Sequence, residues 1–180
     1  MFLVAAVVGF AFGGADQYLG SLIALDPWSA SVSHMSAPWL ILPFAFGTTQ
    51  ARPRTAAMLG TTVIVSALLS YFVLTLSPLE GVALSRFPAD WIALIDSNRE
   101  VIIGGLLTAP LFGLLGHRWR ERRSPLAAAA VAGALLFEPL ARLATNQLLT
   151  PQAVWIAEVA LGLLAAGGFV RCRAQRPTLP

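Results

Sequence analysis

The chain has no lysine and a single cysteine, and charge of either sign is scarce. Of its 180 residues 12% are charged, about half the share in a soluble globular domain. The lone Cys172, set between Arg171 and Arg173, excludes an internal disulfide and offers no cysteine spacing for a metal. Catalytic signatures are missing too. There is no H-E-x-x-H, no G-x-S-x-G, no P-loop and no paired-aspartate metal motif, and nothing orients a serine and a histidine as nucleophile and base. These absences argue against an enzyme and against a resident metal or cofactor.

What is present is apolar. Hydrophobic residues make up 57% of the chain, and the mean hydropathy is +0.72. Five or six stretches approach or exceed the roughly 18 residues that mark a membrane span. The expectation is one integral membrane domain over residues 1–180, all-α, a bundle of six transmembrane helices with no room for a soluble module. All twelve basic residues are arginine. With the abundant alanine, that reads as high-GC bacterial coding. A pI near 10.0 would suggest nucleic acid in a soluble protein. Here the arginines sit in short loops, where membrane topology accounts for them, so nucleic acid is not expected as a partner.

Phe2–Ala15 resembles the apolar core of a signal peptide, but it lacks a basic flank and the apolar run continues through Leu25. A first span is the preferred reading. Asp26-Pro27, Ser77-Pro78, Ser124-Pro125 and Thr150-Pro151 each put a capping side chain before a proline at the first helical position. Ser77–Glu80 and Ser97–Glu100 also have capping-box spacing. The predicted spans are Phe2–Leu25, Ser29–Phe46, Thr55–Leu76, Arg99–His117, Pro125–Leu149 and Pro151–Val170. The second is polar in its first half, Ser29–Pro38, and is either a full helix inside the bundle or a half-helix entered by a loop. With the N-terminus cytoplasmic, the inner loops collect Arg52, Arg54, Arg118, Arg120, Arg122, Arg123, Arg171, Arg173 and Arg176, and the outer segments only Arg86 and Arg99. This alternation follows the positive-inside rule for six spans with both termini cytoplasmic. Phe87–Asp96 reads as a short amphipathic helix on the outer surface, either resting at the interface or acting as a lid over an outward cavity.

Four ionisable residues fall within spans: Asp16, Glu138, Arg142 and Glu158. Charge at bilayer depth is costly and marks a place to look for function. At about 1.5 Å per residue, Arg142 and Glu158 lie about 12 Å from the outer helix ends, Asp16 about 15 Å and Glu138 about 18 Å. All four therefore occupy one slab in the outer half of the membrane, a polar centre shared by spans one, five and six. Glu138, Arg142 and Asn146 recur at i, i+4, i+8 as a polar stripe. Gly9, Gly13, Asp16 and Gly20 share a face of span one, Glu158, Gly162 and Ala166 one of span six, and Gly105, Ala109, Gly113 and Gly116 one of span four. Rows of small residues are seams for close helix contact.

Two readings of the charges stand. In one they line a site for a small solute or a cation, joined by Gln17 and His34. In the other, Glu138 and Arg142 neutralise each other, Glu158 completes an ionic latch between spans five and six, and Asp16 is satisfied by Gln17, Ser21 or backbone. Three acids against one arginine favour the first, because the excess negative charge calls for protons or a cation. His34 and His117 lie at opposite ends and share no metal. His117 and Arg118–Arg123 form a basic inner loop, anchored by topology or in contact with anionic lipid. The five tryptophans fall near predicted interfaces, as an aromatic belt would.

Gly9–Leu22 (GFAFGGADQYLGSL), Ala37–Gly47 (APWLILPFAFG), Ser70–Gly81 (SYFVLTLSPLEG) and Leu136–Pro139 (LFEP) resemble an uncharacterised family of small actinobacterial six-span membrane proteins. That resemblance implies an inner-membrane location and no particular activity. In architecture the chain is also similar to the substrate-capture subunits of energy-coupling-factor vitamin transporters, which bind a small solute from outside and dock on an ATP-driven module. No vitamin-specific motif accompanies that likeness. The function expected is a bacterial inner-membrane module that binds or transports a small solute or cation. The alternative is a structural protein with lipids, a membrane-protein partner or its own copies as its only ligands.

Overall fold

The computed structural model describes residues 1–22, 26–77, 87–146 and 151–174. They form eight helices: α1 (Phe2–Ser21), α2 (Pro27–Ser33), α3 (Ala37–Thr48), α4 (Pro53–Thr75), α5 (Phe87–Ser97), α6 (Arg99–Arg122), α7 (Pro125–Ala144) and α8 (Ala153–Ala174). There is no strand among the described residues. The helices α1, α4, α6, α7 and α8 are long and apolar enough to cross a membrane. The sixth apolar element, α3, is shorter. Large side chains such as Phe2, Leu3, Phe10, Leu107, Phe137, Ile156 and Leu164 are exposed on these helices. In water so extensive an apolar surface would drive association. Against lipid it is the ordinary exterior.

Helix starts follow their proline signals. Pro53 and Pro125 occupy the first turns of α4 and α7, where the missing N–H breaks no hydrogen bond. Asp26 caps α2 through its carboxylate, which accepts the Trp28 N–H at 3.1 Å, the Ser29 N–H at 3.2 Å and the Ser29 hydroxyl at 2.5 Å. The Ser29 hydroxyl first, then the backbone donors, hold the Asp26 carboxyl below its ordinary range. The box expected at Ser97–Glu100 does not form. Ser97 belongs to the last turn of α5, its hydroxyl donates to the Leu94 carbonyl at 3.0 Å, and Asn98 takes the N-cap of α6. The box at Ser77–Glu80 and the start at Thr150-Pro151 rest on positions outside the described residues, as do Arg86 and Arg176.

Packing runs along the small-residue seams. α1 lies on α4, and a Cβ on Gly9 or Gly13 would collide with the Val63 or Ala67 carbonyl. α4 lies on α6, and α6 on α3, where Gly116 faces the Phe44 carbonyl and Gly47 the Gly113 carbonyl. Lipid removes the usual hydrophobic drive between helices, so such backbone-to-backbone approach supplies the cohesion. One core is built around Leu59, Val63, Ile64, Leu68 and Phe72 of α4, closed by Ala5 and Ala109. The other joins Phe44, Phe112, Leu115, Trp119 and Val131. α7 and α8 form a pair against α2, α3 and α6.

At the arginine-rich end the His117 Nδ1 lies 3.0 Å from the Gln50 carbonyl, and its Nε2 lies 3.3 Å from Glu121. Trp119 packs edge-on to Phe169 and carries the Arg123 guanidinium on its face. His117 is thus a tie between the α3–α4 turn and α6. Trp119 and Trp155 are buried and Trp39 packs among Phe12 and Tyr71. These three are interior side chains, and the aromatic-belt expectation does not hold for them.

Candidate functional site

The predicted second span is two helices. α2 ends at Ser33, α3 begins at Ala37, and His34, Met35 and Ser36 form an irregular link. The sequence accounts for the interruption. Serines compete for backbone hydrogen bonds, and Pro38 in the first turn of α3 brings no N–H. A helix break exposes carbonyls on one side and N–H groups on the other. In a membrane these need partners from protein, because lipid offers none.

Glu138 and Arg142 of α7 supply those partners. The Glu138 carboxylate accepts the Ser36 N–H at 2.6 Å, the Ala37 N–H at 3.1 Å and the Ser36 hydroxyl at 3.1 Å. Ser36 occupies the N-cap of α3, yet its hydroxyl makes no cap within its own helix. The carboxylate of another helix caps instead. Arg142 Nη2 donates to the His34 carbonyl at 2.6 Å, just past the end of α2. The same guanidinium donates to Glu138 Oε1 from Nε at 3.1 Å and from Nη2 at 3.0 Å. Signs match the helix dipoles: the anion meets the N-terminus of α3 and the cation the C-terminal side of α2. One i, i+4 ion pair therefore splices a broken helix.

The pair is enclosed. The Glu138 side chain is 11% exposed and that of Arg142 23%. Arg142 also lies over the Trp155 ring, 5.0 Å from its centre. One turn beyond Trp155, Glu158 is 0% exposed, and among the described residues neither carboxylate oxygen has a hydrogen-bond partner. It is within electrostatic reach of both Glu138 and Arg142. Glu138, Arg142 and Glu158 thus come together, as the common depth suggested.

Asp16 does not join them. Half-buried on α1, it lies beside the Trp39 indole and in electrostatic reach of His34. The α2–α3 link lies close to both groups, bonded to one through its backbone and in electrostatic reach of the other through His34. Two clefts open on the Asp16 side. One of about 300 Å³ runs from His34, Ser36 and Trp39 to Gly104 and Thr108 of α6. Another of about 180 Å³ is lined by Asp16, Trp39, Tyr71, Phe72 and Asn98. Gln17, half-buried on α1, lines neither. Asn146 is exposed at the end of α7 with φ +54°. It takes the left-handed position that ends a helix, which asparagine tolerates, rather than extending the polar stripe.

Ser36 is the residue sequence reasoning missed; Trp39 was expected beside His34 at an outer cavity. A serine two positions before a proline is a readable helix start, and it pointed to a break at Ser36. Among the described residues no group of three or more His, Cys, Asp or Glu side chains could hold a metal ion. No curated protein and no solved structure matches the chain. Over residues 1–179 it matches, and it therefore belongs to, the family of unknown function DUF6518.

Proposed function

We propose that the protein is a polytopic membrane module that binds a small solute or cation beside its interrupted helix, with no enzymatic step of its own. The observation that carries this reading is the break itself. Its two ends are held from one side by Glu138 and Arg142, and its other side borders a cleft of about 300 Å³. Interrupted helices at membrane depth recur where transporters bind their cargo. Irregular backbone is tolerated there because it lines a cavity. The charged pair is then the scaffold of the site, His34, Ser36, Trp39 and Thr108 line the larger cleft, and Asp16 lines the smaller one beside it.

In this reading α2 and α3 count as one crossing, so the chain has six, with both termini and the arginine-rich turns in the bacterial cytoplasm. The clefts lie toward the outer face, near α5. A thermal-stability screen of the purified protein against small solutes tests it, with Gly104→Phe as the control. Nothing lies within 4 Å of a Cβ at Gly104, so the ring fills the cleft without displacing backbone. Stabilisation of the wild type by a solute, lost in Gly104→Phe, is the result expected. A library that shifts neither protein overturns it, and a solute that shifts both equally is bound outside the larger cleft.

A second reading is favoured by the enclosure of Glu138 and Arg142. With Glu138 and Arg142 bonded to backbone and to each other, the pair serves as a latch in a structural or partner-binding protein. It is distinguished by a purified protein that responds to no solute and elutes with a membrane-protein partner or as a stable homo-oligomer.

A further inference from the structure

The smaller cleft has a composition of its own. Its polar lining includes one carboxylate, Asp16, and one amide, Asn98, and its walls include Trp39, Tyr71 and Phe72. The rings form a continuous series of edge contacts. Phe12 meets Trp39 at 5.1 Å, Trp39 meets Tyr71 at 6.2 Å, Tyr71 meets Phe72 at 5.7 Å and Phe72 meets Trp91 at 6.5 Å between centres. Such a series fixes ring orientation, and a fixed ring face attracts a cation through its quadrupole.

The Asp16 carboxylate, with roughly four acceptor positions, lines the cleft beside the Trp39 indole. Arg142, a cation near the break, is committed to Glu138, the His34 carbonyl and the Trp155 face. A carboxylate beside aromatic faces selects against anions by repulsion. It selects against a compact metal ion because, even with His34 in electrostatic reach of Asp16, no group of three or more metal-ligating side chains occurs among the described residues. What fits is a cation whose charge is spread over carbon and nitrogen. The volume sets its size. A cavity of about 150 Å³ accommodates benzene, so about 180 Å³ suits a ligand of six to eight heavy atoms.

We propose that this cleft is a recognition site for a small organic ammonium, with its charge on the Asp16 carboxylate and its methyl or methylene groups against Trp39, Tyr71 and Phe72. The inference rests on the reading of the protein as a solute-binding module and names the class of solute. Asp16 supplies the charge, the rings supply selectivity for a soft cation over a hydrated one, and Asn98 accepts or donates a hydrogen bond to a hydroxyl on the ligand.

The probes are choline, tetramethylammonium and 3,3-dimethyl-1-butanol, the uncharged isostere of choline. Binding is read by tryptophan fluorescence and melting temperature of the purified full-length protein. Choline and tetramethylammonium are expected to bind saturably, and the neutral isostere at least tenfold more weakly. Asp16→Asn is expected to lose at least tenfold for both cations while melting like the wild type. Trp39→Phe, which keeps a ring and removes the indole, is expected to weaken binding less than Asp16→Asn. Should Asp16→Asn fail to fold, the comparison of choline with its isostere on the wild type still decides. Equal binding of the isostere, or unchanged binding by Asp16→Asn, overturns the ammonium assignment and leaves the solute-binding reading standing. So does binding of an uncharged or anionic solute that Gly104→Phe abolishes, with no response to either cation. Silence toward every solute overturns both.

Discussion

The carboxylate of Glu138 accepts the backbone N–H of Ser36 at 2.6 Å across a sequence separation of 102 residues. An acid that reads as half of a local ion pair is, in the fold, the cap of a distant helix. That single bond changes what removing the acid should do.

Glu138→Gln should cost about 2–3 kcal/mol, because it weakens two charge-assisted bonds to backbone and leaves Arg142 with only the His34 carbonyl and the Trp155 ring. Arg142→Gln should cost about as much. The double substitution should cost less than the sum, since each single change strands the other's charge. Unfolding in mixed detergent micelles measures the cycle. Hydrogen exchange adds a local readout: the Ser36 and Ala37 amides should lose protection in Glu138→Gln before the rest of α3 does. Additive losses with unchanged protection at Ser36 would sink the splice.

Glu158 should behave in the opposite way. It is the more deeply buried acid, yet its oxygens have no hydrogen-bond partner among the described residues. A carboxylate in that position gains little from its charge and bears the cost of burying it. Glu158→Gln is therefore expected to leave stability within about 0.5 kcal/mol of the wild type or to raise it. The same unfolding assay tells the two acids apart. A loss matching that of Glu138→Gln would mean that Glu158 is bonded in the folded protein.

The contrast between these two acids shows where sequence reasoning stops. The helix starts at Asp26-Pro27 and Ser124-Pro125 were readable because proline chemistry is local. The small-residue seam at Gly9 and Gly13 was readable because helical spacing is periodic. Counting residues from the helix ends gave Asp16, Glu138, Arg142 and Glu158 one depth, and three of them do meet. Depth is only the coordinate along the axis. Which side of a neighbouring helix a residue faces is decided by packing, and Asp16 does not join the rest. Trp39 and Trp155 show the same limit. A tryptophan near an expected interface has no local mark that tells lipid from a neighbouring Asp16 or Arg142. The partner of Glu138 could not be found by spacing at all, since a carboxylate that caps another helix leaves no pattern in its own.

Two glycines should respond to alanine with opposite signs. Gly13 lies against the Ala67 carbonyl with no room for a Cβ, whereas nothing lies within 4 Å of one at Gly104. Gly13→Ala must push α1 off α4 and is expected to cost about 1–3 kcal/mol. Gly104→Ala removes backbone freedom from a helix interior without a clash and should gain about 0.5–1 kcal/mol. Melting temperatures of the two variants, taken in one detergent, check the pair. A gain from Gly13→Ala would contradict the close α1–α4 approach.

The broken helix makes a prediction about topology. α2 has 7 residues and α3 has 12, so at about 1.5 Å per residue they rise about 10 and 18 Å. Neither reaches across a hydrocarbon core of about 30 Å, but end to end they nearly do. A crossing of this kind is tolerable only if the groups at the break are satisfied from within, which is what Glu138 and Arg142 provide. If the two pieces form one crossing, their far ends must meet opposite solutions. The exposed native Cys172 is replaced by serine to clear the background. Single cysteines then go to the exposed positions Trp28, Thr49 and Asp96. A membrane-impermeant maleimide applied to intact cells should label Trp28→Cys and Asp96→Cys. Thr49→Cys, and Cys172 in the unmodified chain, should label only after permeabilisation. Labelling of Trp28→Cys and Thr49→Cys from the same side would mean that α2 and α3 enter and leave by one face. Five crossings would then remain, and the arginine-rich turns at Arg52–Arg54 and Arg118–Arg123, tied together by His117 and the Gln50 carbonyl, would no longer follow from positive-inside sorting alone.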